Sequence, residues 1–474
     1  MPVNSFTDYP MSWTPDFRQA KGPLYKAIAE RLESDIKNGL LTPGTRLPPQ
    51  RELADFLEIN VSTVSRAFKL CEQKGLICAT IGNGTFVASD AAANSYLLHD
   101  EGDGVIELGS VFCETAMHEE VVAQMKKMVA EPDFGKLFRY GRSGGTSWQK
   151  ESAAKLMQKA GYAAQAENLL LANGAQNAIA AILAGLFQAG DRIGTNEFTY
   201  PGVKTAANML GIRLIPILQT EQEVTEEGLR FACKNEKLSG LYLIPDYHNP
   251  TTQTLSDNSR KAVAAVARQE KLIVIEDAIH SLLKKEPTAA IASYAPDQVV
   301  YVSSLSKAVA PGLRIAFIAA PPQFRQPLTA ALYNLNISVP PLMAELATRI
   351  MVSGTLDAIV EKHRSRNRMR NAIVDRYLQG YPVLGEAEGI FRWLLLPSHV
   401  SGENFEAEAY QAGVRVYGAE RFAVGNAKAT NAVRLAIIAP ENIRQLEEAM
   451  KILSGILQKH TASLHGIKDG EAQE

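Results

Sequence analysis

The chain has few cysteines, no long hydrophobic run and no signal-peptide pattern at its start. Its four cysteines have neither CxxC spacing nor a nearby histidine cluster: Cys71, Cys78, Cys113 and Cys233. This usage predicts reduced thiols and argues against a disulfide framework or a metal site. No apolar run approaches the roughly 18 residues of a transmembrane helix, and residues 1–19 lack a basic segment followed by an apolar one. We therefore expect a soluble, cytoplasmic protein that binds neither a metal nor a membrane.

The chain also lacks a net excess of charge of either sign. It has 49 basic and 51 acidic residues, which excludes a protein coated with nucleic-acid-binding charge. A local basic face is compatible with this balance, since residues 18–88 contain ten Lys and Arg against seven Asp and Glu. The length of 474 residues, with 46% hydrophobic and 21% charged residues, predicts a globular protein of two or three domains. Any contact with DNA should therefore come from one domain.

Residues 18–88 have the pattern of a small helical domain with a hairpin. Apolar residues recurring every four positions predict an amphipathic helix, at Leu24, Ile28, Leu32 and Ile36. Two short helices at 50–57 and 62–74, the later one with Ser62 available as N-cap, are followed by a glycine-tipped hairpin at 76–87. Closely spaced helices with a hairpin predict a winged helix-turn-helix. A three-helix bundle with a hairpin also occurs without DNA binding, but the local positive charge favours DNA.

Three motifs in this segment carry a resemblance to a known family. They are LPPQRELA at 47–54, VSTVSRA at 61–67 and GNGTFV at 82–87. Together they resemble the winged helix-turn-helix of GntR-type bacterial regulators, which implies binding to a double-stranded DNA operator. The candidate contacts lie at the turn, the third helix and the hairpin tip: Arg46, Arg51, Ser62, Thr63, Ser65, Arg66, Gly82 and Asn83. Many relatives carry a basic residue where 61–63 stands, so the base-reading set differs here.

The rest of the chain predicts an α/β body behind a linker. Residues 89–104 are small and acidic, which is typical of a linker, and a polar tail is expected at 461–474. Between them, residues 105–460 alternate short β-branched runs with helical ones, which predicts a mostly parallel sheet covered by helices and a smaller α+β lobe. Ligands of such sheets bind at the carboxyl ends of the strands.

Several of these strand ends carry residues suited to one ligand. ANGAQ at 172–176 opens a helix and could cradle a phosphate, although a plain strand-to-helix turn is the commoner use. Tyr200 could stack on a flat ring or simply pack in a loop, Asn249 lies in a proline-held turn, and Asp277 ends an apolar strand. A buried carboxylate needs a cationic partner, such as a protonated ring nitrogen. Lys307 follows the strand at 299–303 and could form a Schiff base.

In this order, the residues resemble fold-type I aminotransferases between residues 109 and 457. The resemblance implies pyridoxal 5'-phosphate, with Lys307 as the Schiff-base lysine and Arg434 as the grip for a substrate or effector carboxylate. It also implies a set of cofactor-binding residues: Ala175, Gln176, Tyr200, Asn249, Asp277, His280, Ser304, Ser306, Lys307 and Arg314. His280 departs from the pattern because relatives have a tyrosine there, and Gly418-Ala419 replaces the usual Pro-Gly. Tyr140 matches a tyrosine that reaches a neighbouring subunit's phosphate.

A winged helix in front of such a body resembles the MocR subfamily of GntR regulators. The resemblance implies a head-to-tail homodimer whose Lys307 aldimine senses an amino compound or pyridoxal phosphate itself, with little physiological turnover. The alternative is a working aminotransferase with an appended DNA-binding domain, because none of the expected groups is missing from the sequence. A third hypothesis is a DNA-binding protein whose body is an inactive scaffold, which predicts no cofactor absorbance.

Overall fold

A computed structural model describes most of the chain, namely residues 11–15, 22–37, 40–41, 45–74, 76–80, 84–88, 104–111, 118–220, 223–425, 427 and 430–470. The N-terminal part is a three-helix unit with a hairpin, formed by α1 Leu24–Lys37, α2 Gln50–Phe56, α3 Val61–Gln73, β1 Ile77–Thr80 and β2 Gly84–Val87. Strands β1 and β2 pair antiparallel. This is the predicted winged helix-turn-helix, although the hairpin tip at Gly82 and Asn83 lies outside the described residues.

The N-terminal domain has a core of its own, and its third helix begins one residue earlier than expected. The cap is Asn60, whose side chain accepts the Ser62 backbone N–H at 2.9 Å, so the expectation that Ser62 caps the helix was wrong. Of the predicted stripe on α1, Leu24 is 43% exposed while the other three residues are buried. Trp13 also packs into this core and donates from Nε1 to Asp35 Oδ2 at 2.9 Å.

The body follows in two parts that share one core. The larger part contains β3 Ile106–Glu107, α4 Glu119–Val129, α5 Ser147–Lys159, β4 Leu169–Ala172, α6 Ala175–Leu186, β5 Arg192–Thr195, α7 Pro201–Met209, β6 Arg213–Pro216, β7 Gln219–Thr220, β8 Glu223–Val224, α8 Glu226–Glu236, β9 Gly240–Leu243, α9 Asp257–Glu270, β10 Ile273–Asp277, α10 Ile291–Tyr294, β11 Val299–Ser304, β12 Ala316–Ala319, α11 Pro322–Asn336 and α12 Pro341–Val352. The smaller part contains α13 Thr355–Tyr377, β13 Val383–Leu384, β14 Phe391–Leu395, α14 Gly402–Gln411, β15 Val414–Arg415, β16 Tyr417–Gly418, β17 Ala432–Ala436 and α15 Ile443–Gly470.

The large sheet brings the predicted strand ends to one edge. Its seven strands run in the order β4-β12-β11-β10-β9-β5-β6, and β12 alone is antiparallel to its neighbours. Because β12 is antiparallel, its first residue lies beside the carboxyl ends of its two neighbours. Ala316 pairs with Ser304 at the end of β11 and with Ala172 at the end of β4. The loops that follow β4, β5, β9, β10 and β11 therefore meet the loop that precedes β12, and these loops carry the candidate residues of the large sheet.

The smaller part places one candidate side chain opposite that edge. Strands β13, β14, β17 and β16 form an antiparallel sheet in which Arg434 of β17 pairs with Trp393 on one side and Tyr417 on the other. The parallel pair β3 and β15 ties the start of the body to this lobe. Helix α15 runs to Gly470, into the stretch 461–474 where the sequence pattern placed a polar tail. No helix within the described ranges is both long and apolar enough to cross a bilayer.

Candidate functional site

One cavity of about 240 Å³ lies between the carboxyl edge of the large sheet and the smaller sheet. All eleven residues proposed for the cofactor and the effector carboxylate line it: Ala175, Gln176, Tyr200, Asn249, Asp277, His280, Ser304, Ser306, Lys307, Arg314 and Arg434. They come from seven separate stretches of sequence. The fold therefore brings together a lysine, a carboxylate, aromatic rings and guanidinium groups at one place.

Asp277 provides a buried carboxylate with one unused oxygen. Tyr242 donates from its hydroxyl to Asp277 Oδ2 at 2.6 Å, whereas Oδ1 has no hydrogen-bond partner among the described residues. Burial raises the pKa of Asp277 to about 6, and the Tyr242 hydrogen bond opposes this rise. A cationic or N–H donor in the cavity would relieve the cost of burying this group. The arrangement thus fits the protonated ring nitrogen of pyridoxal phosphate.

Lys307 and two serines lie just past the end of β11. Lys307 Nζ is 3.4 Å from the Val111 carbonyl oxygen. The Ser304 hydroxyl donates to the Ile315 carbonyl at 3.1 Å and accepts the Ser306 backbone N–H at 3.2 Å. These bonds fix the turn that carries the lysine, so its amine can be presented to an aldehyde in the cavity.

A second group of residues forms an anion-binding corner at the start of α6. Gly174 has φ +84° and lies against the Arg314 guanidinium, where any Cβ would collide with that group. Arg314 donates from Nη2 to the Asn173 carbonyl at 3.4 Å and is exposed. Helix α6 adds backbone N–H groups at its first turn, the positive end of the helix dipole. A phosphate is the ligand that such a corner fits.

Tyr200 and Gln176 line the cavity together, and close contacts around Gly202 hold them there. Gln176 Nε2 donates to the Gly202 carbonyl at 2.8 Å, and a Cβ on Gly202 would collide with the Tyr200 ring. Glycine is therefore required for the close approach of these segments. Burial raises the pKa of Tyr200, and the nearby Asp277 carboxylate raises it further, so the phenol stays neutral.

Arg434 is a buried cation surrounded by aromatic side chains. Its Nη1 donates to Asn249 Oδ1 at 2.6 Å, its Nη2 donates to the Gly109 carbonyl, and Nε has no partner among the described residues. The guanidinium carbon lies 4.7 Å from the centre of the Phe391 ring and 4.8 Å from that of Phe422. Burial lowers the pKa of Arg434 to about 10, which leaves it charged at neutral pH. The group is suited to bind a carboxylate.

His280 lies next to a second buried histidine. It is 1% exposed, and its Nδ1 has no hydrogen-bond partner in the described part of the chain. Burial and the charge of Lys307 lower its pKa to about 4, while burial and His280 lower the pKa of His248 to about 3. His248 Nδ1 is 2.8 Å from the Thr251 hydroxyl. Both imidazoles are therefore neutral at pH 7.

The cavity is also lined by nine residues that the sequence analysis did not propose for the site: Ser110, Val111, Pro201, Ile244, Ile279, Pro311, Phe391, Tyr417 and Arg421. Tyr242, which donates a hydrogen bond to Asp277, was also not proposed from the sequence. Gly109 must be glycine because a Cβ would lie 2.5 Å from the Tyr417 ring. Most of these residues have no motif; Tyr417 and Arg421 lie beside Gly418-Ala419, which the sequence analysis noted only because it replaces the usual Pro-Gly.

The candidate DNA-binding residues are partly free and partly engaged within the domain. Arg46, Arg51, Ser62 and Arg66 are exposed, whereas Thr63 and Ser65 are half-buried. The Ser65 hydroxyl donates to Gln50 Oε1 at 2.7 Å, which joins α3 to α2. Arg66 lies over a ring of α1, with its guanidinium carbon 4.4 Å from the Tyr25 centroid.

Comparison with known families accounts for both parts of the chain. Residues 24–87 match the family "Bacterial regulatory proteins, gntR family", and residues 103–453 match "Aminotransferase class I and II". The HTH-type transcriptional regulator YdeF of Bacillus subtilis (strain 168) is 51% identical over 462 residues, covering 97% of this chain and 100% of YdeF. This chain is a GntR-family transcriptional regulator of the MocR type.

The body of this MocR-type regulator has the fold of solved aminotransferases. An archaeal alanine:glyoxylate aminotransferase superposes with a TM-score of 0.70 at 18% identity, covering 77% of this chain and 97% of the enzyme. The α-aminoadipate aminotransferase LysN of Thermus thermophilus, solved with N-(5'-phosphopyridoxyl)-L-leucine, gives 0.67 at 22%, covering 76% and 94%. The predicted fold class, a winged helix-turn-helix joined to a fold-type I aminotransferase domain, is confirmed.

Proposed function

We propose that this MocR-type regulator holds pyridoxal phosphate on Lys307 and uses it to sense an amino compound, or the cofactor itself, and so to control binding to its DNA operator. The unpaired Oδ1 of Asp277, buried in the same cavity as Lys307, carries the proposal. Without a cofactor, the burial of this carboxylate would cost free energy that no interaction in the cavity offsets among the described residues.

Each part of the cofactor has residues suited to it. When bound, pyridoxal phosphate supplies an aldehyde that condenses with amines and a ring that acts as an electron sink. Asp277 would pair with the ring nitrogen, Tyr200 would stack on the ring, and the ring oxygen would face Asn249 and His280. The phosphate would bind in the corner at the start of α6, with Ser304, Ser306 and Arg314 around it. Arg434 would bind the carboxylate of the sensed compound.

The exposed aromatic residues of the body are consistent with a homodimer. Phe138 is 71% exposed, Tyr140 86% and Tyr333 55%, and exposed aromatic side chains are suited to an interface. We propose that they lie in a head-to-tail interface, in which Tyr140 reaches the phosphate of the other subunit. Two winged helices would then face two half-sites of one operator.

One ion pair joins the winged helix to the sheet of the body. Arg213 Nη2 of β6 lies 3.2 Å from Glu72 Oε1 in the last turn of α3. Strand β6 pairs with β5, whose carboxyl end leads to the ring-stacking Tyr200. A ligand-dependent shift at that strand end would thus reach the helix that faces DNA, provided that the ligand prefers one of the two arrangements.

The experiment combines cofactor mapping with a turnover assay on the purified full chain. The protein loaded with pyridoxal phosphate should have a visible absorbance band, and borohydride reduction followed by peptide mapping should locate the cofactor on Lys307. With an amino donor and an oxoacid, we expect no sustained turnover. Multiple turnovers at enzyme-like rates without sequence-selective DNA binding would contradict the proposal, and attachment at another lysine would contradict the assigned site.

A further inference from the structure

The half of the cavity that faces away from the phosphate corner contains a second guanidinium group, and this group is already neutralised. Arg434 and Arg421 both line the cavity. Arg434 has no carboxylate partner among the described residues, whereas Arg421 forms an ion pair with Glu406. Because the two arginines differ in this way, this half of the cavity has one guanidinium available for a ligand carboxylate rather than two.

The Glu406–Arg421 pair is held in place from several directions. Arg421 Nε lies 2.9 Å from both carboxylate oxygens of Glu406, and Nη2 also donates to Oε1. Glu406 Oε2 accepts the backbone N–H of Gly418 at 2.8 Å. The Arg421 guanidinium carbon lies 4.6 Å from the centre of the Tyr417 ring.

The pair is partly shielded from water, so separating the two charged groups has a free-energy cost. The Arg421 side chain is 26% exposed and that of Glu406 18%. A ligand with a second carboxylate could recruit Arg421 only by displacing Glu406, which would leave that carboxylate partly buried and unpaired. If the second carboxylate stayed near the intact pair, it would meet an Arg421 whose charge Glu406 already offsets, so it would gain little from that contact.

Apolar and aromatic side chains also line this half, among the residues that the structure describes. Val111, Phe391 and Tyr417 line it, and the Tyr417 hydroxyl is taken up by Ser110 at 3.0 Å. Such walls favour an uncharged side chain of the ligand over a charged one.

We infer that the sensed compound is an amino acid with a single carboxylate and an uncharged, apolar side chain, and that the Glu406–Arg421 pair is the specificity determinant that rejects a second carboxylate. This inference rests on the proposed function, since it concerns the same cavity. Arg434 binds the ligand's single carboxylate, whereas Arg421, the second guanidinium in this half of the cavity, is already paired with Glu406.

The test is a titration of the full chain loaded with pyridoxal phosphate. Phenylalanine and glutamate are added separately, and the change in the visible absorbance band gives a dissociation constant for each. The wild-type protein should bind phenylalanine at least about tenfold more tightly than glutamate. Glu406→Gln keeps an oxygen that can accept the Gly418 N–H but releases the charge of Arg421, so glutamate should gain about tenfold relative to phenylalanine.

Two further variants separate this role from a structural one. Glu408→Gln, on the same helix but paired with His460 at 2.7 Å outside the cavity, should leave the ratio unchanged. Adding Arg421→Met to Glu406→Gln should abolish the gain for glutamate. A wild-type preference for glutamate, or an unchanged ratio in Glu406→Gln, would overturn this inference and leave the proposed function standing. If no amino acid altered the spectrum, amino-acid sensing itself would fail, and the inference with it.

Discussion

Tyr242 donates a hydrogen bond of 2.6 Å to Asp277 from within the neighbouring strand, and both side chains are buried. The bond occupies one carboxylate oxygen of Asp277, which lines the cavity, and the other oxygen has no partner among the described residues. A tyrosine in the middle of an apolar strand thereby leaves one oxygen of this carboxylate for a ligand. The proposed cofactor site depends on this support as much as on the lysine.

Replacing Tyr242 by Phe should weaken the hold on the cofactor without unfolding the protein. Removing the hydroxyl takes away the side-chain hydrogen bond to Asp277 Oδ2, which costs about 1–3 kcal/mol and raises the pKa of Asp277 further above about 6. We expect the variant to bind pyridoxal phosphate more weakly and to lose binding more steeply below pH 7. A titration monitored by visible absorbance measures both effects. Tyr301→Phe, on the adjacent strand and outside the cavity lining, is the matched control. Equal effects of the two variants would contradict the role given to Tyr242.

Glu276 should make the stability of the cofactor-free protein depend on pH. Burial raises its pKa from 4.5 to about 7, against the hydrogen bonds it accepts from the Ile291 and Ala292 backbone at 2.8 Å each. Since the folded-state pKa is the higher one, the native state binds the extra proton. The contribution of Glu276 to stability is therefore complete below pH 4.5 and is lost as the pH rises through about 7, by about 3 kcal/mol in total.

Glu276→Gln removes this titration and tests it directly. Urea unfolding at pH 5 and pH 8 gives the unfolding free energy of the cofactor-free wild type and variant. Relative to the wild type, the variant should be more stable at pH 8 than at pH 5. The exposed Glu270→Gln on α9 serves as control. A difference that stays constant with pH would exclude the predicted titration.

Arg51 should contribute to DNA binding through charge. It is exposed in the first turn of α2, the helix that precedes α3. Arg51→Ala should lower the affinity for the operator and reduce by about one the slope of log affinity against log salt concentration, as expected for one lost phosphate contact. Lys127→Ala, exposed on α4 of the body, should change neither quantity. A loss of affinity with the salt slope unchanged would argue for base reading or a folding defect.

The sequence predicted most of what is local. The strand end at Asp277, the glycine-containing turn before α6 and three of the four residues of the stripe on α1 follow from short patterns. Strand β11 ends at Ser304, one residue later than its pattern predicted, and Leu24 of the stripe is exposed. The antiparallel direction of β12 did not follow from any pattern, although it brings Arg314 to the common edge. Ser62 looked like a cap because of its hydroxyl, but Asn60, two residues earlier, takes that position.

What the sequence could not predict depends on contacts between distant segments. Gly109 and Arg434 are 325 residues apart, yet they share a hydrogen bond, and the Gly109 backbone leaves no room for a side chain beside Tyr417. Arg421 lines the cavity only because β16 and β17 pair and fold over the large sheet. Such proximity follows from tertiary packing, not from spacing along the chain.

The central claim is that a cofactor on Lys307 links a small amino compound to DNA binding. Fluorescence anisotropy should therefore compare the affinity of wild type and Lys307→Ala for a DNA fragment selected by the wild-type protein, each with pyridoxal phosphate and with or without phenylalanine. We predict that phenylalanine changes the wild-type affinity by about 5- to 150-fold, the usual range of coupling between two sites, and leaves Lys307→Ala unchanged. An equal response in both proteins, or none in the wild type with any amino compound or with the cofactor alone, would contradict the claim.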